Sequence, residues 1–349
     1  MREFYQGKRV LVTGHTGFKG TWLCWLLSAL GAEVFGYALP PQNGCLYCKA
    51  APPLAGERLA DMRDADSLRR AAADFAPDLV FHLAAHSHLD GSYVFPQKIF
   101  EVNVMGTVQL LETLRCGGGG VPTVVVTSDK CYTQSLQGRP CREDDPFGAA
   151  EAYSTSKACQ DLAAQCYRLS FETMPVATAR ASNTIGGGDF NQTRLIPYLL
   201  DCFSRGEPAK LRNPSYIRSW QYVLDVLWGY LLLGKALAQG IVREHADYNF
   251  GPAADGFQTV ERVAEELAGH FEHARVQWLK GERSNQTAIL RLDSSKAHRE
   301  LAWTPICGFE ETLERTASFQ KRSGDYSGAE LCRDWTERYI LDIQTKAER

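Results

Sequence analysis

Three glycines spaced G-x-x-G-x-x-G, Gly14, Gly17 and Gly20, stand directly between a short β-branched run, Arg9-Val10-Leu11-Val12-Thr13, and an apolar stretch from Trp22 to Leu30. A strand that ends in glycines and turns at once into a buried helix is suited to cradle phosphate. Glycine permits the tight turn and close approach of backbone to a pyrophosphate, while the helix N-terminus supplies amide donors and a dipole. The same spacing can make a bare tight turn, so the strand before it and the helix after it carry the reading.

The rest of the chain keeps that rhythm. Strand-like segments recur at 33–38, 78–82, 123–127 and 175–179, alternating with helical periodicity over stretches such as 65–75, 100–115 and 154–171. This predicts an α/β fold: a Rossmann-type doubly wound parallel sheet covered on both faces. Beyond residue 180 the rhythm breaks, and glycine- and proline-marked loops at 186–188, 212–214 and 251–252 separate shorter helices at 194–203, 223–237 and 259–270. The expected division is a dinucleotide-binding domain over 1–180 and a smaller C-terminal α/β substrate-binding lobe over 181–349. Some segments of the lobe return to the sheet, and amphipathic spacing predicts a terminal helix over 329–343.

The 349 residues suit about two domains and a core that needs neither disulfides nor metal. A formal net charge of -3 leaves no excess of Lys and Arg for a nucleic-acid partner. The longest apolar stretch is about half the roughly 20 residues that cross a bilayer, and Met1-Arg2-Glu3-Phe4 lacks a signal-peptide pattern. The expectation is a cytoplasmic protein without membrane or nucleic-acid partners. The eleven cysteines are read as mostly reduced thiols, and no metal is expected. Cys45-Leu46-Tyr47-Cys48 alone has metal-ligand spacing; without a second pair nearby, metal or redox use and chance in a loop both stay open.

In dinucleotide folds an acidic residue about 20 positions on, at the end of the second strand, binds the adenosine ribose. Here that strand ends Tyr37-Ala38-Leu39-Pro40, with neither carboxylate nor arginine, so NAD against NADP is undecided. Asp61-Met62-Arg63-Asp64 after a third short strand is either an adenine-edge contact or a solvated charge cluster. Tyr153-Ser154-Thr155-Ser156-Lys157 is Y-x-x-x-K, which on a helix brings Tyr and Lys to one face. A phenol titrates near pH 10, so a neighbouring ammonium is needed for it to take a proton from a hydroxyl.

With Thr127-Ser128-Asp129-Lys130-Cys131-Tyr132 upstream of that motif, the chain resembles the extended short-chain dehydrogenase/reductase superfamily and, within it, the CDP-glucose 4,6-dehydratases. Further matching segments are Gly14 to Gly20, Asn103 to Thr107, Ile185 to Asp189, Arg212-Asn213-Pro214, Ile217 to Gln221, Asn249 to Pro252 and Leu292 to Ala297. The resemblance implies hydride transfer from sugar C4 to NAD, elimination of water across C5 and C6, and return of the hydride to C6. In that scheme Tyr153, assisted by Lys157, takes the 4-hydroxyl proton, Ser128 hydrogen-bonds the same oxygen, and Asp129 protonates the departing 6-hydroxyl. Lys130 acts on the C5 proton or, as a cation, stabilises the enolate, because an ammonium must be strongly depressed before it can accept a proton.

The resemblance also implies cofactor contacts from Gly14, Thr16, Gly17, Phe18, Gly20, Asp61, Met62, Leu83, Ala84, Ala85, Asn103, Tyr153 and Lys157. For a nucleotide-diphosphate hexose substrate it implies His86, Ser87, His88, Asn183, Arg194, Arg212 and Arg218; arginine forks suit a diphosphate, while a surface ion pair is the alternative for Arg194 and, less so, for Arg218. A homodimer through helices 100–115 and 154–171, and a place in deoxysugar biosynthesis for lipopolysaccharide O-antigen, belong to the same expectation. The chain departs from the branch at His86-Ser87-His88-Leu89-Asp90, which resembles the dTDP-glucose dehydratases, at Ala152, and at Ser284-Asn285-Gln286-Thr287. Two rivals stay open: a nucleotide-sugar 4-epimerase, which has no use for the Asp129-Lys130 pair, and a non-catalytic NAD-sensing or scaffold protein.

Overall fold

The computed structural model describes residues 1–87, 91–133, 139–148, 151–280 and 291–347. Its centre is a seven-stranded parallel sheet in the order Asp247–Phe250, β6 (Val176–Ala181), β5 (Thr123–Val126), β4 (Leu79–His82), β1 (Arg9–Thr13), β2 (Glu33–Ala38), β3 (Gly56–Leu59). The doubly wound α/β expectation holds. Strands β4, β5 and β6 are buried throughout, which is why they read as apolar runs rather than alternating ones.

Side chains alternate across the pleat and so divide the core in two. Val10 and Val12 of β1 face one cluster, built with the helix Phe18–Ala29, the helix Val223–Ala238 and the terminal helix Gly328–Ala347. Leu11 between them faces the other, with Leu68 of the helix Ala65–Phe75 and Leu110, Leu111 and Leu114 of the helix Gly106–Cys116. A third cluster fills the smaller lobe, where Leu199 and Phe203 of the helix Leu195–Ser204 pack with Leu267, Phe309 and Leu313.

Three elements give the expectation its detail. The helix Val223–Ala238 packs on the main sheet rather than in the lobe, and thirteen of its residues are buried. Asp247–Phe250 is the edge strand beside β6, a segment from beyond residue 180 that returns to the sheet. The helix expected over 100–115 carries a π-helical stretch, Glu101–Met105, between the α-helices Pro96–Phe100 and Gly106–Cys116; such stretches concentrate at functional positions. The lobe adds three two-stranded sheets. No helix among the described residues is long and apolar enough to cross a membrane.

Candidate active site

The glycine turn leaves β1 at Gly14, whose φ of 75° favours glycine. A Cβ there would lie 2.7 Å from the amide nitrogen of Ala84, and one on Gly20 would lie 2.1 Å from the carbonyl oxygen of Gly14. Backbone therefore approaches backbone with no room for side chains, and the helix Phe18–Ala29 starts from Gly17. Together the turn, exposed at Gly17, and the helix N-terminus offer backbone amides suited to a pyrophosphate. The Thr16 hydroxyl donates to Leu39 O at 3.1 Å, joining the turn to the end of β2.

Leu83, Ala84 and Ala85 leave β4 half-buried beside the turn, with Leu83 N donating to Thr13 O at 3.1 Å. Asn103, which the π-helical stretch carries, is fully buried beneath this loop. Its amide oxygen accepts from His86 N at 2.7 Å, and its nitrogen donates to His86 O at 3.2 Å and Ser156 Oγ at 2.8 Å. Asn103 thus fastens the 83–87 loop to the helix that carries Ser156. His86 is half-buried and Ser87 exposed; His88 lies outside the described residues, as do 284–287. Met62 is buried in the core. Asp61 receives Arg63 on both carboxylate oxygens, and those hydrogen bonds hold its carboxyl below the usual range.

Past β5 the chain enters a 3-10 turn, Asp129–Cys131, capped by Ser128, whose Oγ accepts from Lys130 N at 3.2 Å. The Ser128 hydroxyl donates to Asp129 Oδ1 at 2.9 Å, and Ser128 is also hydrogen-bonded to the Tyr153 phenol. Ser128, Asp129 and Tyr153 thus form one line. Tyr153 opens the helix Ala152–Ser170, whose N-terminus is fixed by Glu151 accepting from the amides of Tyr153 and Ser154 at 2.8 Å each. One turn on, the buried Lys157 donates to Val126 O at 3.1 Å and Gln160 Oε1 at 2.8 Å.

The electrostatics follow from burial. Asp129 is pushed above the carboxylate range by burial, against the pull of Lys130 and Ser128. Burial and the Asp129 charge push Tyr153 up to about 12, opposed by Ser128 and Arg194. Lys157 is lowered to about 7 by burial and by the positive charge of Lys19, and Lys19 itself to about 8 by burial and Arg194. Lys130, on the same turn as Asp129, is half-buried.

An open groove of about 400 Å³ on the lobe side is lined by Arg194, Lys210, Arg212, Tyr198 and neighbours. Three cations converge there, a setting suited to a diphosphate. Arg194 pairs with Asp189 at 2.8 Å while remaining partly exposed. Asn183 is exposed, its backbone tied to Ser219 and Gln221. Arg218 is half-buried over the Tyr216 ring and is not among the groove's lining residues.

Sequence reasoning misses Lys19, Lys210 and Arg180. Lys19 occupies a variable position of the glycine motif, yet a cation in the first turn of a helix opposes the dipole and is itself a signal. Arg180 stands in the otherwise uncharged Val-Ala-Thr-Ala-Arg-Ala of β6 and is wholly buried; a charge in such a run requires a partner.

A sequence model described as GDP-mannose 4,6 dehydratase matches residues 11–316. The CDP-glucose 4,6-dehydratase of Salmonella typhimurium is 39% identical over 331 residues, 92% of this chain and 92% of that protein. A probable dTDP-glucose 4,6-dehydratase of Sinorhizobium fredii is 28% identical over 90% of this chain and 93% of its own length. Among solved structures, the dTDP-glucose 4,6-dehydratase of Streptomyces venezuelae with NAD bound superposes with a TM-score of 0.76 at 27% identity, covering 90% of this chain and 98% of that one. The UDP-glucose 4-epimerase of Thermus thermophilus with NAD gives a TM-score of 0.75 at 26% identity, over 90% and 99%.

Proposed function

The chain belongs to the GDP-mannose 4,6 dehydratase family, a family of nucleotide-sugar dehydratases, and on that premise we propose that it converts CDP-glucose to CDP-4-keto-6-deoxyglucose with NAD as its cofactor. One observation carries the choice of dehydration: the hydrogen-bonded line Tyr153, Ser128, Asp129, in which a phenol stands beside a carboxyl that burial raises above its ordinary value. A 4-epimerase needs the phenol but has no use for the acid.

The Gly14–Gly20 turn would hold NAD, which would supply the hydride acceptor for sugar C4 and the hydride donor for C6. Tyr153 takes the 4-hydroxyl proton. Its phenol, held near 12 in the free chain, needs added positive charge, which the Lys157 ammonium one turn away supplies. Ser128 donates to the C4 oxygen as it becomes a ketone. Asp129, whose carboxyl burial raises above its ordinary value, is the acid that gives a proton to the departing 6-hydroxyl. Lys130 acts at C5, as base or as a cation for the enolate; Lys130→Arg keeps the charge without the base and separates the two.

Arg194 and Arg212, with Lys210, are assigned to the substrate diphosphate, and Asn183, Arg218, His86 and Ser87 to the rim around it. We place the smaller lobe, from residue 181 on, as the substrate-binding part. Exposed Met105, Leu162 and Leu169 on the two long helices support a homodimer, and eleven cysteines as free thiols fit a reducing, cytoplasmic setting.

Incubation with NAD and CDP-glucose, beside dTDP-, UDP- and GDP-hexoses, tests the proposal through the alkali-induced absorbance of a 4-keto-6-deoxy sugar and loss of water by mass spectrometry. Product from CDP-glucose supports it. Product from another nucleotide alone moves the substrate but keeps the reaction, and no product from any, with NAD bound, sinks the dehydratase reading.

A further inference from the structure

Cys45 is the N-cap of the short helix Leu46–Lys49 and Cys48 lies within it, in the connection between β2 and β3. Their sulfurs are 3.7 Å apart, a gap that side-chain rotation can close to the roughly 2 Å of a disulfide. Among the described residues no group of three or more His, Cys, Asp or Glu is placed to hold a metal, so the pair is left as a dithiol. Cys48 is exposed and Cys45 half-buried. This is an arrangement in which one thiol meets a reagent and the other resolves it.

The dithiol touches the cradle. The Cys45 thiol points at Thr16 O, 3.9 Å away, and the Cys48 thiol at Gln42 O, 3.4 Å away. Between them, Tyr47 donates to Glu57 Oε2 at 2.8 Å, the oxygen that His15 Nε2 meets at the same distance, and the rings of His15 and Tyr47 stand edge to face at 5.3 Å. His15 and Thr16 belong to the glycine turn. The loop that runs on from β2, where the expected ribose carboxylate is missing, is therefore fixed to the turn through the Cys-x-x-Cys segment.

We propose that Cys45 and Cys48 are a reversible dithiol–disulfide pair, and that their oxidation by a low-molecular-weight disulfide loosens the dinucleotide cradle. The inference rests on reading the Gly14–Gly20 turn as the NAD site. The Cys48 thiolate attacks the disulfide RS–SR and expels one RS⁻. Cys45 then loses its proton, attacks the Cys48 sulfur and expels the second RS⁻. Two protein thiols are oxidised to one disulfide, and RS–SR is reduced to two RSH that carry the protons. The Cys45 sulfur is drawn off Thr16 and the Cys48 sulfur off Gln42, which disturbs the turn.

The test equilibrates the full chain with glutathione disulfide or with dithiothreitol, alkylates the remaining thiols, maps the peptides by mass spectrometry, and titrates NAD by equilibrium dialysis. The expected result is an intrachain Cys45–Cys48 disulfide, reversed by dithiothreitol, with a Kd for NAD raised about fivefold, the scale of one disturbed hydrogen bond. Cys48→Ser keeps the reduced affinity under both conditions. Alkylation of both thiols after oxidation, or a disulfide that leaves the Kd unchanged, overturns the proposal. A reduced chain that binds no NAD overturns the cofactor reading, and this inference with it.

Discussion

Arg180 and Asp161 meet as a fork beneath the Ser128-Asp129-Lys130 turn: the arginine Nε and Nη2 donate to the two carboxylate oxygens at 2.8 Å each, and neither side chain is exposed. The remaining arginine nitrogen donates to the Tyr132 hydroxyl at 2.7 Å and to Glu143 O at 2.9 Å. Burial pushes the Asp161 carboxyl up, but the guanidinium more than offsets this and holds it below its ordinary value. Since Tyr132 follows the turn that carries Ser128 and Asp129, the ion pair supports the floor of the site.

Removing Asp161 leaves the buried guanidinium with the longer ion pair to Asp247, at 3.8 Å. Asp161→Ala is expected to cost about 3–5 kcal/mol in urea unfolding, and the double variant Asp161→Ala, Arg180→Met to recover much of that loss. Equal stability of the single and double variants would contradict this account of the pair.

Gly14→Ala places a Cβ 2.7 Å from the Ala84 nitrogen on a residue with φ 75°. We expect a loss of about 1–3 kcal/mol in stability and no measurable NAD binding in dialysis, because the strand end at Ala84 must shift away from the cradle.

Asp129→Asn removes the acid but leaves the Tyr153, Ser128 and Lys157 set. Oxidation at C4 is expected to proceed while dehydration falls about a hundredfold or more. Rapid-quench mass spectrometry would then find the 4-keto sugar retaining its 6-hydroxyl. Tyr153→Phe stops the earlier step, so no ketone forms at all.

Lys19→Met takes away one of the two effects that hold Lys157 near 7. The Lys157 ionisation is expected to move upward, shifting the corresponding limb of the pH profile of kcat/KM to higher pH. An unmoved limb would show that Lys19 does not act on Lys157.

Asp225 is buried and accepts from Ile306 N, Cys307 N and the Tyr339 hydroxyl, yet burial raises its carboxyl to about 6. A carboxyl raised in the folded state favours folding below the unfolded value, and that contribution is lost as pH rises through the folded value. The window is therefore about pH 4 to 6, worth about 3 kcal/mol by linkage. Asp225→Asn should flatten denaturant-measured stability across that window.

The sheet and the glycine turn are legible in the sequence because β-branched runs and glycines act locally: β1, β2 and the turn depend on their own residues. The helix 223–237 is apolar all round, which signals burial without naming the surface it is buried against, and the surface proves to be the sheet. In the helix Phe309–Arg322, Phe309, Leu313 and Ala317 keep helical spacing but are diluted by charges. The Tyr153 and Lys157 spacing is visible because both ride one helix. The Arg194, Lys210 and Arg212 groove is not, since its walls come from separate elements that only the lobe's packing brings together.

The edge strand Asp247–Phe250 sets an order of events at the ribosome. Thr178 waits for Asp247, its partner across the sheet, until the chain between them has emerged. The dinucleotide half therefore cannot finish its sheet during its own synthesis. The unpaired side of β6 is open to wrong strands during that interval, and a chain stopped at residue 180 would leave it open permanently.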